Sequence, residues 1–139
     1  TLTAQSFLDD TQFSSTPGGV EIVQDLDDSN RYYMKNMVLV AGDNVLPLTL
    51  ADDLYFIVGN DGSMSMPSQQ KIGDYGAGEG FAIGLTSEGY TVTDPIKIEK
   101  SGNRLLFKVD GLAGLFIDDN DELTVYYALK NIILEKVNH

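Results

Sequence analysis

The stretch PIKIEKSGNRLLFKVDG, residues 95–111, has the clearest strand pattern in the sequence. Apolar and charged residues alternate on both sides of a central Ser-Gly-Asn, and such alternation is typical of strands that turn one face to a core. Gly102 supplies the positive φ that a short turn requires. The pattern therefore predicts a β-hairpin whose inward side chains include Ile96, Ile98 and Phe107.

Residues 54–66 contain a second pair of short apolar runs around a turn signal. Asn60, Asp61 and Gly62 separate LYFIV from MSM, and Pro67 follows the second run. We expect another hairpin here, because Asn, Asp and Gly favour tight turns. The first run has no charged residue, which predicts a central strand buried on both faces.

Short runs of β-branched and aromatic residues recur along the rest of the chain, separated by Gly, Asn, Asp and Pro. This rhythm is typical of an all-β fold, and we expect an antiparallel β-sandwich or a jelly-roll-like barrel with little helix. The further predicted strands are residues 20–24, 32–41, 81–86, 90–93, 123–129 and 131–137.

Residues 126–137 leave two interpretations open, because their apolar residues fit a helical period as well as a strand. Frequent aromatic and β-branched residues favour the strand, with a bulge or kink at Asn131. Residues 49–53 could form a single helical turn.

No linker or internal repeat divides the sequence, so we expect one β domain over residues 1–139. Its opening run, residues 1–8, carries several polar side chains. We predict an exposed strand there that is available to pair with a neighbouring subunit. The chain begins at Thr1 instead of Met, which indicates either trimming of an initiator or cleavage of a leader.

The charge of the chain bears on its partners. It carries 21 acidic and 9 basic residues, for a formal net charge of -12. Nucleic-acid binding needs clustered Lys and Arg that neutralise phosphates, so we expect no nucleic-acid partner. No apolar run approaches the roughly 18 residues of a membrane helix, and we expect no membrane insertion.

Residues 73–84, GDYGAGEGFAIG, contain five glycines. A dinucleotide-binding fingerprint would have its third glycine where Phe81 stands and would open a helix, whereas FAIGLT reads as a strand. Asp74 and Glu79 would also repel phosphate. We therefore expect a flexible loop at the rim of the sheet, with Tyr75 displayed toward a ligand or partner.

The residues needed for nucleophilic or zinc chemistry are scarce in this sequence. The chain has no cysteine, and its single histidine is His139, the last residue. A Ser-His-Asp triad and a zinc site both need more than this. Paired carboxylates are the remaining route to catalysis, but the chain has no tryptophan to line a sugar cleft. We predict that the protein is not an enzyme.

Acidic residues cluster at residues 25–28, 52–53 and 118–122. Calcium prefers carboxylate and carbonyl oxygens, although none of these clusters has the spacing of an EF-hand loop. A solvated turn is the alternative interpretation, since Asp and Asn are common in turns. Calcium is the only cofactor that the sequence suggests. The candidate calcium ligands are Asp118, Asp119, Asn120 and Asp121.

Tyrosines are the candidate contact residues. Neighbouring side chains of a strand point to opposite faces, so Tyr32-Tyr33 and Tyr126-Tyr127 should each present one ring outward. An outward ring can stack on a sugar, pack in a subunit interface or cover the sheet. The candidate contact residues are Tyr32, Tyr75, Tyr90 and Tyr127.

A β domain without catalytic residues is expected to act by contact. We predict a structural or assembly protein that packs with copies of itself or with other structural subunits. Such an assembly could be an oligomer, an extracellular filament or a virion, where the protein would be a decoration, tail or fibre component. The alternative is a carbohydrate-binding or adhesin module with a glycan partner, stabilised by calcium. The predicted location is extracellular or in a virion, and a cytoplasmic location stays open.

Overall fold

The computed structural model describes residues 1–7, 9–15, 19–49, 52–75, 78–117, 120 and 122–135. All regular elements of these residues are β-strands, which confirms the predicted all-β class. The strands are β1 (Leu2–Ser6), β2 (Gln12–Ser15), β3 (Glu21–Gln24), β4 (Arg31–Lys35), β5 (Val38–Ala41), β6 (Asn44–Pro47), β7 (Leu54–Val58), β8 (Met64–Met66), β9 (Gln69–Tyr75), β10 (Gly78–Leu85), β11 (Ile96–Ser101), β12 (Arg104–Lys108), β13 (Gly111–Ile117) and β14 (Leu123–Glu135).

The strands form one large antiparallel sheet that curls into a half-barrel. Its main path runs β3-β4-β7-β8-β11-β12-β14-β1-β2-β5-β6. A branch of three strands, β13, β10 and β9, leaves the path at β14. The buried side chains on the concave face form a single hydrophobic cluster that includes Leu2, Met34, Leu39, Leu54, Phe56, Ile72, Ile96 and Leu129.

The sheet branches at Asn131, near the middle of the 13-residue strand β14. Residues 123–129 pair with β13, residues 133–135 pair with β12 on the same side, and β1 pairs along the other side. Asn131 has φ 53°, and the register with β1 shifts there by one residue. The predicted bulge is confirmed, as is the strand interpretation through Glu135; residues 136–137 lie outside the described residues.

The two predicted hairpins are confirmed. β11 and β12 pair around a turn at Gly102, which has φ 62°, and Ile96 and Ile98 are buried as expected. β7 and β8 pair around a turn in which Gly62 has φ 86°. Both turns rest on glycines in the left-handed region, where a side chain would be strained.

Two of the other predicted strands are corrected. Residues 32–41 form two strands, because Asn36 adopts φ 60° and turns the chain out of β4 before β5 begins. The two strands then lie far apart in the sheet, beside β3 and β7 in one case and beside β2 and β6 in the other. Residues 90–93 contribute only an isolated bridge between Thr91 and Leu85.

The glycine-rich stretch is a hairpin, which corrects the loop predicted there. β9 and β10 pair from Tyr75 opposite Gly78 onward, and the connecting residues 76–77 lie outside the described residues. Gly80 lies opposite Phe116 of β13, and a Cβ atom at Gly80 would be 2.7 Å from the Phe116 ring. At this position, glycine makes room for an aromatic ring on the neighbouring strand.

The half-barrel brings β9 beside β7, at the edge that the short β8 leaves uncovered. The side chain of Gln70 is buried there and bonds the main chain of Tyr55 twice. Its Oε1 accepts from the Tyr55 nitrogen at 3.0 Å, and its Nε2 donates to the Tyr55 oxygen at 2.9 Å. The carboxamide takes the place of a peptide group from a neighbouring strand.

The opening strand has no edge left for another subunit, contrary to its predicted role. β1 pairs with β14 on one side and with β2 on the other. Leu2 and Ala4 are buried in the core, and the Thr1 nitrogen donates to the Glu135 oxygen at 2.7 Å. Because the apolar residues of β1 face the core, the strand belongs to the interior of its own sheet.

Candidate functional site

The candidate site lies on β3, β4 and β7, at one end of the sheet. Register places Val23 opposite Tyr33 and Tyr33 opposite Tyr55, so the three side chains form a row on the outer face. We call this row the outer platform. The rings of Tyr33 and Tyr55 meet edge to face, with centroids 6.0 Å apart. The inner face of β7 carries Leu54 and Phe56, which are buried.

Burial on both faces was predicted for β7, and only its inner face is fully buried. Tyr55 and Ile57, on the outer face, are half-buried. Cross-strand neighbours from β4 cover them in part, since Arg31 lies opposite Ile57 and Tyr33 opposite Tyr55. The outer face is therefore covered by one layer of side chains and reachable from outside.

Two cations lie against the rings of the outer platform. The Arg31 guanidinium carbon is 4.4 Å from the centroid of the Tyr55 ring, and the Lys35 Nζ is 5.7 Å from that of Tyr33. Lys35 also forms an ion pair of 2.6 Å with Asp53. The hydrogen bond to Asp53 raises the pKa of Lys35, and hydrogen bonding to Tyr33 raises the pKa of Arg31. Both side chains are held cationic beside the aromatic face.

A polar groove of about 510 Å³ runs between the outer platform and β9. Gln70 closes its floor through the two bonds to Tyr55. The side chains around the groove can donate and accept hydrogen bonds, and two of them are aromatic. They include Tyr33, Lys35, Asp53, Tyr55, Gln69 and Lys71.

Beside the platform, β3 forms an open edge of the sheet. β3 pairs with β4, and with no other strand of the residues that the structure describes. All four of its residues are exposed, including the apolar Ile22 at 41% and Val23 at 37%. An edge strand with apolar side chains presents unpaired peptide groups together with surface that is better buried.

The direction of the peptide groups on β3 follows from one bond at its end. The Asp25 nitrogen donates to the Arg31 oxygen at 2.9 Å, so the peptide groups of Asp25 point toward β4. In an antiparallel pair this direction alternates from residue to residue. Val23 therefore bonds within the sheet, whereas the peptide groups of Ile22 and Gln24 face outward.

The other open edges within the described part of the chain carry protective features. β6 ends in Pro47, which lacks an N–H group. The first half of β14 has a register shift at Tyr126, opposite the step from Gly114 to Leu115. β9 has a register shift at Ile72, and Gln70 joins this strand to β7. Proline, bulges and covering contacts hinder strand pairing, and β3 has none of them.

Two of the tyrosines predicted to contact a ligand or partner point inward, which corrects their predicted role. Tyr127 is 5% exposed, and its hydroxyl donates to the Leu48 oxygen at 2.9 Å. Tyr32 stacks on Phe56 with ring centroids 5.6 Å apart. One ring of the Tyr32-Tyr33 pair does reach the outer face, but it is Tyr33. The sequence of two adjacent tyrosines predicted that one ring would face outward, but not which of the two.

For the other two predicted contact residues, Tyr90 and Tyr75, the predicted role is not corrected. Tyr90 is 73% exposed, in the connection between β10 and β11, and its contact role stays a prediction. Tyr75 ends β9, and its side chain lies outside the described residues. Tyr55 was not among the predicted contact residues, because its run was predicted to be buried on both faces.

The calcium prediction falls mostly on residues that the structure does not describe. Asp118, Asp119 and Asp121 lie outside the described residues, and Asn120 is exposed. Within the described ranges, no three His, Cys, Asp or Glu side chains gather as a metal site would require. Calcium binding therefore stays a prediction.

Comparisons of the chain with protein-family models, with curated proteins and with solved structures find no match. Among the described residues there is no helix with the length and apolar character to span a membrane. The outer platform, the polar groove and the open edge of β3 are therefore the features from which a function can be inferred.

Proposed function

We propose that the protein is a non-enzymatic structural subunit that assembles by strand pairing at the open edge of β3. The observation that carries this proposal is the combination on β3 of outward peptide groups and exposed apolar side chains, without proline, bulge or lysine. Strand addition at such an edge gives affinity through main-chain hydrogen bonds and specificity through alternate side chains. An oligomer, an extracellular filament or a virion is the setting proposed for this activity.

The mass of the protein in solution tests the proposal. We expect light scattering to show a mass above that of the 15.2 kDa chain, rising to a defined value with concentration. Replacing Ile22 by Lys should shift the protein toward monomer, because lysine on an edge strand hinders pairing and its charge would have to be desolvated beside the side chains of the joined sheet.

The matched control is Val45→Lys on β6, another open-edge strand. Val45 is 64% exposed, so its replacement also exchanges an exposed apolar side chain for a charge. We expect Val45→Lys to keep the wild-type mass. A wild-type protein that stays monomeric at millimolar concentration, or an oligomer insensitive to Ile22→Lys, would contradict assembly through β3.

A second candidate function is glycan binding in the polar groove. The observation that favours it is the pairing of the Tyr33 and Tyr55 rings with donors and acceptors around one concave surface. Sugars combine apolar ring faces with hydroxyl groups, and sites that bind them supply aromatic surface and polar side chains together.

A glycan array tests this second candidate. We expect bound glycans to be lost in Tyr33→Ala and retained in Tyr90→Ala, which removes an exposed ring away from the groove. Circular dichroism would confirm that both variants keep the wild-type sheet content. Equal binding by both variants, or no bound glycan, would leave the groove without this function.

A further inference from the structure

The register of the proposed assembly can be inferred from β3 itself, and this step rests on the proposed function. We infer that β3 pairs antiparallel with β3 of a second copy of the chain, about a two-fold axis that passes between the two Ile22 residues. This isologous contact would join the two sheets into one continuous sheet.

The peptide groups of β3 are compatible with this centre. Ile22 and Gln24 point their N–H and C=O groups away from β4, as established by the Asp25–Arg31 bond. With Ile22 on the axis, the two Ile22 residues exchange a pair of hydrogen bonds. Gln24 then lies opposite Val20 of the second copy, the residue that directly precedes β3.

The charges and the end of the strand distinguish the register centred on Ile22 from the registers centred on Val23 and Gln24. Centring on Ile22 places Glu21 opposite Val23 and Asp25 opposite Gly19. Centring on Val23 would place Glu21 opposite Asp25 twice, and like charges directly opposite are destabilising. Centring on Gln24 would need Leu26 as a strand residue, although the chain bends there after β3 has ended.

This register also buries exposed apolar side chains. Ile22 is 41% exposed in one copy and would pack against its equivalent in the second copy. Residues that lie opposite each other point to the same face, so the joined sheet keeps one inner and one outer face. The two outer platforms then lie on the same side of the dimer.

Disulfide cross-linking tests the register directly, because the chain has no cysteine of its own. The directly opposed Ile22 residues would have Cα atoms about 5.5 Å apart, within the range that a disulfide spans. Equivalent Val23 residues would be two positions apart along the strand, about 8 Å, and Gln24 residues about 14 Å. We expect Ile22→Cys to form a covalent dimer on mild oxidation, and Val23→Cys and Gln24→Cys to form little.

Ile22→Cys removes a side chain that contributes to the contact, so a double variant that retains Ile22 is also needed. Glu21→Cys with Val23→Cys retains Ile22 and places each cysteine opposite its partner in the other copy, at about 4.5 Å between Cα atoms. We expect this variant to form a dimer with two disulfides, seen by intact mass under non-reducing conditions.

The outcomes distinguish this inference from the proposed function. Efficient cross-linking of Val23→Cys or Gln24→Cys in place of Ile22→Cys, with an oligomer that Ile22→Lys disrupts, would overturn the register and leave assembly through β3 intact. A wild-type protein and four cysteine variants that all remain monomeric at every concentration would overturn both.

Discussion

Aromatic rings lie against glycines on neighbouring strands of this sheet. Gly80 lies opposite Phe116, and Gly114 lies opposite Tyr127, whose ring occupies the space of the missing side chain. Both glycines are in strands, where glycine by itself is unfavourable. The loss of propensity is offset by ring packing that a Cβ atom would prevent. The glycine content of residues 73–84 thus serves packing as well as turning.

The buried carboxamide of Gln70 is expected to contribute to the stability of the fold. Replacing Gln70 by Leu keeps the bulk but leaves the nitrogen and oxygen of Tyr55 without their partner. We expect the free energy of unfolding to fall by about 2–4 kcal/mol, since each unsatisfied buried group costs about 1–3 kcal/mol. Urea denaturation measures the change. The neighbouring Gln69 is exposed, so Gln69→Leu should change stability by less than about 0.5 kcal/mol.

The buried phenol of Tyr127 makes the stability of the fold depend on pH in the alkaline range. Burial raises the pKa of its phenol far above the usual value of about 10. The folded protein therefore retains a proton that the unfolded chain releases above pH 10, and stability falls as pH rises past that value.

We expect Tyr127→Phe to be about 1 kcal/mol less stable at neutral pH, because the bond to the Leu48 oxygen is lost. Its stability should then decline less than that of the wild type between pH 10 and 12, as measured by thermal unfolding. Tyr90→Phe, at an exposed ring, should keep the wild-type decline. Parallel declines in wild type and Tyr127→Phe would show that this phenol does not control the alkaline limit.

At the scale of elements, local sequence patterns predicted the hairpins but missed strands that depend on neighbours. β11–β12 and β7–β8 each combine an alternating or apolar run with a glycine turn, and both signals lie within a few residues. β2 (QFSS) and β6 (NVLP) are short; the first is largely polar and the second ends in proline. They are strands because β1 and β5 supply hydrogen-bonding partners, which no local pattern contains.

β14 is the element on which the branching of the sheet depends. Its positive φ at Asn131 lets one strand pair with β13 before the bulge and with β12 after it. The Asn131 amide also donates to the Gln5 side chain on β1. Asn is among the few residues that tolerate the left-handed region, so the residue type and the branch point agree.

Replacing Asn131 by Val should therefore destabilise the fold by about 1–3 kcal/mol, the usual cost of a strained backbone. Asn131→Gly should cost less than Asn131→Val, because glycine adopts positive φ freely. Thr124→Val, at an exposed position of the same strand, is the control and should leave the unfolding midpoint nearly unchanged. Equal losses for the Val and Gly variants would show that backbone conformation at the bulge is not the limiting factor.

For the whole molecule, charge opposes assembly while the sheet edge favours it. Two copies, each with a formal net charge of -12, repel one another, and the proposed contact brings Glu21 and Asp25 of both copies near the same axis. Such repulsion between exposed charges is screened by salt.

We therefore expect association to strengthen as the ionic strength rises from about 0.01 M to 1 M, over which the Debye length falls from about 30 Å to 3 Å. Sedimentation or light scattering at fixed protein concentration measures the effect. Glu21→Gln should reduce the salt dependence, whereas Glu88→Gln, on an exposed turn between β10 and β11, should change it less. Weaker association at high salt would indicate an interface held by ion pairs instead of strand pairing.

The amino-acid sequence predicts the all-β fold class, the two hairpins with glycine turns and the bulge at Asn131. These features depend on alternation of apolar and polar residues and on turn residues, which act over a few positions of the chain. Which ring of Tyr32-Tyr33 faces outward, and which strand is left at an edge, depends on partners distant in the chain. β1 was predicted to be an exposed strand and lies inside the sheet. β3 was predicted as a strand without any special position and forms the open edge. Pairing order is a property of the folded sheet, since hydrogen bonds between distant strands assign each strand its neighbours and its face.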